Sequence, residues 1–120
     1  MKKGSTILLI DDENSYRLVL KNVLEENGYI VQEASNGAIG LEILRTSKVD
    51  LAIVDLEMPV MDGIEFTRWV KELDPKFPIV IITAHERNFS PTEIISTDVE
   101  AFLHKPFELE ELLKTVEAIV

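Results

Sequence analysis

A chain of 120 residues that is 46% hydrophobic and 28% charged holds enough apolar material for one substantial core, and is read as one globular domain over 1–120. Its formal net charge of −10 repels phosphate backbones and anionic lipid, so no direct nucleic-acid or membrane binding is expected, and protein surfaces and cations are the favoured partners. Cysteine is absent, which excludes disulfides and thiolate metal sites, and no apolar run has the length of a signal or membrane segment, so the expected compartment is the cytoplasm.

Short β-rich runs alternate with longer stretches of helical period. "TILLI" (6–10) reads as a buried strand. The following "DDENSYRLVLKNVLEEN" carries Tyr16, Val19, Leu20 and Val23 on one helical face, with Gly28 as the C-terminal stop. "YIVQEA" is a more polar strand, expected near an edge, and after Asn36-Gly37 the stretch "AIGLEILRTS" is a helix with Leu41 and Leu44 inward. "DLAIVD" (50–55) is a second buried strand, and "GIEFTRWVKELD" is a helix with Phe66, Trp69, Val70 and Leu73 on one side, ended by Asp74-Pro75. "PIVIITA" (78–84) is the fourth strand and "AFLH" the fifth. Between them, residues 86–99 contain Pro91 and several β-branched residues, so the fourth helix is expected to be short or irregular. The last helix, "ELEELLKTVEAIV", shows a stripe of Leu109, Leu112, Leu113, Val116 and Ile119.

Strands that are apolar on both faces and separated by helices imply a three-layer, doubly wound α/β fold around a five-stranded parallel sheet. In such a sheet the functional site lies beyond the carboxyl ends of the strands. Asp11 and Asp12 follow the first strand, Asp55 closes the third, Thr83 the fourth, and Lys105 follows the fifth. Clustered carboxylates stay ionised only beside positive charge, and all-oxygen donors with few protein ligands suit Mg2+. Lys105 would offset charge on an incoming phosphoryl group and Thr83 would donate a hydrogen bond to it. With that charge neutralised, a carboxylate can act as an in-line nucleophile; Asp55 is the candidate, and Asp11 and Asp12 are better placed to hold the metal.

The segments "ILLIDDE", "VDLEMPVMDG", "IITAH" and "FLHKPF", in this order and spacing, resemble the receiver domain of two-component response regulators over essentially the whole chain. The resemblance implies a flavodoxin-like sheet of order 2-1-3-4-5. It implies a phosphorelay function in which Asp55 accepts phosphate from a sensor histidine kinase or phosphotransfer protein. It further implies Mg2+ held by Asp11, Asp12, Asp55 and the backbone carbonyl of Glu57, with Thr83 and Lys105 on the phosphoryl group. By the same likeness Thr83 and Phe102 form the switch, and Lys105-Pro106 is a cis peptide. The switch acts on a surface made of the fourth helix, fifth strand and final helix, which serves an effector domain, a downstream protein or a homodimer. The chain would then be no general enzyme: it would catalyse its own phosphorylation and slow dephosphorylation.

Each residue also has a plainer reading. Asp11-Asp12-Glu13 would cap the first helix, and Asp12 is expected to do so as well as bind metal. Asp62 is read as a helix cap, Met58 and Met61 as packing residues, and His85 and His104 as exposed or packing. Phe102 taken alone would be core. Where receivers commonly carry a Gly-Ala pair before the fifth strand, this chain has Asp98 and Val99. Glu57 and His85 hold the variable positions two beyond the acceptor and the threonine, and are expected to tune phosphoryl lifetime. Three competing functions are a Mg2+-dependent aspartate phosphatase of the haloacid-dehalogenase type, a flavin module and a receiver-like binding surface. The first would want D-x-D where this chain has Asp11-Asp12, and the second a hydroxyl- and glycine-rich loop where it has "DDEN".

Overall fold

The computed structural model describes residues 1–84, 92 and 97–119. These contain five strands, β1 (Thr6–Ile10), β2 (Ile30–Ala34), β3 (Leu51–Asp55), β4 (Ile79–Thr83) and β5 (Ala101–His104). Four helices accompany them: α1 (Asn14–Glu26), α2 (Gly37–Thr46), α3 (Gly63–Leu73) and α4 (Leu109–Ala118). Every strand pairing is parallel and the order is β2-β1-β3-β4-β5, as expected. The irregular helix expected over 86–99, with Pro91, and the position of His85 lie outside the described residues, apart from Thr92 and 97–99.

The run "ILLI" is apolar throughout because both faces of β1 are covered. Ile7 and Leu9 join Leu20 and Leu24 of α1 and Leu112 and Val116 of α4 in one core. Leu8 and Ile10 enter a second core with Phe66 and Val70 of α3. Successive strand residues point to opposite faces, so two covered faces require an unbroken apolar run. β3 and β4 are likewise fully buried, whereas β2 and β5 close the sheet edges and carry partly exposed residues.

Local signals set the helix ends. The Asp62 carboxylate accepts a hydrogen bond from the Glu65 amide at 2.8 Å and Asn36 accepts one from Ile39 at 2.9 Å, so both serve as N-caps. Gly28, at φ +93°, follows the last turn of α1. Asp98 adopts φ +51°, a left-handed conformation that aspartate tolerates better than most residues; this accommodates the departure from a glycine there.

The helix faces differ from the sequence reading at their margins. Val19 is 48% exposed, because the inward row of α1 is Leu20 and Leu24 with Tyr16 at its start. Trp69 and Leu73 are 50% and 77% exposed: Phe66, Thr67 and Val70 face the sheet, and the Trp69–Leu73 row is turned aside to line a cleft against Leu41 and Leu44 of α2. Leu109 is at the exposed start of α4. Asp12 does not cap α1, whose N-cap is Glu13 with no side-chain cap bond. Periodicity identifies rows of apolar residues, but neighbouring elements decide which row is covered.

Val60 is the one β-branched residue in left-handed backbone among the described residues, with φ +72° and 80% of its surface exposed. That conformation costs an L-residue about 1–2 kcal/mol and a β-branched side chain gains nothing from it when exposed. Val60→Gly is expected to raise the unfolding free energy by about 1 kcal/mol in urea titrations. A lower stability would mean that the valine is not strained.

Candidate functional site

After β1 the chain lays β2 on one side and then returns to place β3 on the other, which opens a crevice at the carboxyl ends of β1 and β3. The acids there are fixed by the sheet itself. The Asp11 amide donates to the Ala34 carbonyl at 3.1 Å, and the residue after Asp55, Leu56, donates to the Ile82 carbonyl at 2.9 Å. On the far side the Lys105 amide donates to the Thr83 carbonyl at 2.8 Å. Three segments distant in sequence therefore end on the last rungs of one ladder.

The side chains divide their oxygens in the same manner at both acids. Asp11 Oδ1 accepts from the Glu13 amide at 2.9 Å and Asp55 Oδ1 from the Glu57 amide at 3.1 Å. Each Oδ2 is left for Lys105, whose Nζ lies 2.9 Å from Asp55 and 3.4 Å from Asp11. Asp11 is fully buried and Asp55 only 7% exposed. Burial holds the Asp55 carboxyl above its usual range despite the opposing pull of Lys105, with Asp11 adding to the rise. Burial works against the Lys105 ammonium too, but the Asp55 and Asp11 carboxylates outweigh it and its pKa is raised.

Carboxylate oxygens of Asp11, Asp12 and Asp55 lie within 4.8 Å of one another. Among the described residues, one lysine against three carboxylates leaves the crevice negative. An all-oxygen donor set of this size, one of whose members, Asp12, is exposed, suits a hard divalent cation that retains water. The crevice is lined further by Glu13, Glu57, Met58, Pro59 and Ala84. Glu57 is exposed and Met58 buried, the latter as a packing residue.

Thr83 ends β4 with 1% exposure, opposite His104 in the register. Phe102 pairs with Ile81 and packs, half-buried, against the α3 side of the core. His104 is exposed. The Lys105–Pro106 bond is cis.

Two residues at the site escaped the sequence reading. Tyr16, assigned to the core face of α1, lies under Lys105, with Nζ 4.2 Å from its ring centroid. Burial pushes its phenol up, against the effect of Lys105, so the ring is neutral. Arg17 donates to the Asp11 carbonyl and, through Nε, to Glu33 of β2 at 3.0 Å, tying the first acidic turn to the edge strand. An arginine six residues after a strand-end acid was the available signal.

The Arg17 hydrogen bond holds Glu33 below the ordinary carboxylate range; burial opposes it, and Lys21, at 3.2 Å, adds to the pull. A depressed folded-state pKa gives stability that is present above the unfolded value and lost as pH falls through the folded one. Glu33→Gln should therefore cost about 1 kcal/mol or less at pH 7, and the difference from the parent should shrink as pH falls below the ordinary glutamate range and vanish once Glu33 is protonated in the folded protein too. A pH-independent difference in denaturant midpoints would assign the effect to packing instead.

Among the described residues no helix is long and apolar enough to cross a membrane. Residues 7–117 match the family model described as the response regulator receiver domain. The chain is 32% identical over 114 residues to the response regulator MprA of Mycobacterium ulcerans (strain Agy99), covering 95% of this chain and 49% of that protein. It thus spans about half the length of the curated relatives it matches. Among solved structures it resembles the chemotaxis protein CheY4 of Vibrio cholerae, with a TM-score of 0.87, 31% identity and coverage of 98% and 99% of the two chains. It also resembles the response regulator TrrA of Thermotoga maritima, solved in complex with Mg(2+)-BeF, with a TM-score of 0.87, 29% identity and coverage of 97% and 99%. With a family model matched across nearly all of its length, on the fold and crevice described above, this chain belongs to the response regulator receiver domains of two-component signalling.

Proposed function

We propose that Asp55 is the phosphoacceptor and that the chain takes its phosphoryl group from a sensor histidine kinase or a phosphotransfer protein. The carrying observation is a nearly buried carboxylate at the end of β3 with a lysine ammonium 2.9 Å away. In the reaction an Asp55 oxygen attacks phosphorus in line, the new P–O bond replaces the bond to the donor, and the leaving group departs with its electron pair. Lys105 offsets the charge on the phosphoryl oxygens, and Thr83 donates a hydrogen bond to one of them. The Glu57 amide orients the Asp55 carboxylate through Oδ1.

Asp11, Asp12, Asp55 and the Glu57 carbonyl would hold Mg2+, and the relative solved with Mg(2+)-BeF supports that choice. When bound, the cation supplies charge neutralisation to the phosphoryl oxygens. Thr83 and Phe102 then act as the switch, biasing a surface of the segment between β4 and β5, β5 itself and α4 toward an effector domain, a downstream protein or a second copy. Glu57 and His85 tune the lifetime of the phosphate. The chain catalyses its own phosphorylation and slow dephosphorylation and works in the cytoplasm.

Intact mass after incubation with acetyl phosphate should show one added phosphoryl group with Mg2+ and little with EDTA. Continuous turnover of phosphate esters would instead support an aspartate phosphatase, and no adduct under either condition would end the receiver mechanism for this chain.

A further inference from the structure

Among the described residues Lys105 has three neighbours that matter to its charge: Asp55, Asp11 and the face of Tyr16. Two of them are the carboxylates also suited to a cation. A group that draws on Asp11 and Asp55 weakens their hold on the ammonium, whereas the aromatic face neither titrates in this range nor binds a hard cation through oxygen at that position. Tyr16 is itself packed against the segment that carries the lysine. Phe107, two residues beyond Lys105 across the cis bond, meets the Tyr16 ring edge-on with centroids 6.3 Å apart and planes at 77°. The first turn of α1 and the turn after β5 thereby clamp the lysine between an aromatic floor and two acids.

We propose that Tyr16 is a positioning residue for phosphoryl transfer: its ring keeps the Lys105 ammonium at the crevice when the carboxylates are otherwise engaged. This rests on the receiver mechanism above, but its structural half is testable without phosphate or metal. Ring currents over an aromatic face shift nearby protons upfield, so the Lys105 ε-methylene protons should resonate upfield in the metal-free parent. They should stay there in Tyr16→Phe and return to the ordinary lysine position in Tyr16→Leu. The initial rate of phosphorylation by saturating acetyl phosphate with saturating Mg2+ should fall roughly five- to tenfold in Tyr16→Leu, the size expected for a partly desolvated cation–π contact. The KM for acetyl phosphate should change little, and Tyr16→Phe should stay within about twofold of the parent.

Phenylalanine retains the ring and its packing on Phe107, so it separates the aromatic face from the hydroxyl and from a general loss of fold. A Tyr16→Leu rate equal to that of the parent, or a lysine methylene shift the same in all three proteins, would overturn the proposal. So would a loss of rate in Tyr16→Phe with the shift retained, since that would assign the role to the hydroxyl. If the parent takes up no phosphate while the shift follows the ring, the contact stands and the receiver mechanism, with the role given to Tyr16 in it, falls.

Discussion

Asp55→Asn should take up no phosphoryl group from acetyl phosphate under conditions that modify the parent, and should do so as a folded protein. Asparagine keeps the shape of the side chain, and its oxygen can still accept the Glu57 amide bond that aspartate accepts at 3.1 Å. What it lacks is the anionic oxygen that faces Lys105 at 2.9 Å and would attack phosphorus. Stability should not fall with function. A carboxyl whose folded pKa is raised contributes stability below its unfolded pKa that is lost as pH rises through the folded value, so at neutral pH the ionised Asp55 is a cost to the fold. Lys105 retains Asp11 at 3.4 Å in the variant, so its charge is not left alone. The melting temperature of Asp55→Asn at pH 7 should equal or exceed that of the parent. A marked fall would mean that the Lys105–Asp55 pair holds the fold together, and the missing phosphate could no longer be read as the loss of a nucleophile.

Gly63→Ala should have the opposite profile, with damage to the fold first and to the chemistry through it. The loop after β3 turns back so tightly that the Gly63 amide donates to the Leu56 carbonyl at 2.8 Å. A Cβ at position 63 would lie 2.7 Å from the Asp55 carbonyl oxygen and 2.8 Å from Leu56 Cα. Both are backbone atoms, so no side chain can rotate away. Either α3 moves outward, losing contacts of Ile64, Phe66 and Val70 with the second core, or the end of β3 shifts and carries Asp55 off Lys105. Overpacking of this kind costs about 1–3 kcal/mol, and an encounter with rigid backbone belongs at the upper end. Urea unfolding should show that loss, and phosphoryl uptake by the remaining folded protein should be several-fold slower. An alanine variant of parental stability and rate would show that the loop has slack that this packing does not provide for.

How much of this was legible in the residues follows from the range of each signal. "ILLI", "LAIVD" and "IVIIT" are apolar because the strands they form are covered twice, and that is a local property of the sequence. Strand-end acids, the threonine and the lysine could be gathered on one rim because a parallel sheet sends every carboxyl end to the same side. The capping role of Asp62 needed only its own turn. Trp69 and Leu73 went astray because helical period cannot tell which neighbour is missing. The contact between Tyr16 and Lys105 was invisible for a related reason: it joins the first helix to the far end of the chain, and depends on where the first turn of α1 meets the turn after β5. Asp12 was expected to cap α1, yet the helix begins later, at Asn14 with Glu13 as its N-cap, and leaves Asp12 facing Asp11 and Asp55.

The site of modification tests the account most directly. Protein phosphorylated with acetyl phosphate and Mg2+ can be digested under acidic conditions and its peptides sequenced by mass spectrometry. The modification is expected on Asp55 alone and should be removed by mild alkali, as an acyl phosphate is. An alkali-stable phosphate, or one carried by a histidine or hydroxyl residue while Asp55 stays unmodified, would contradict it.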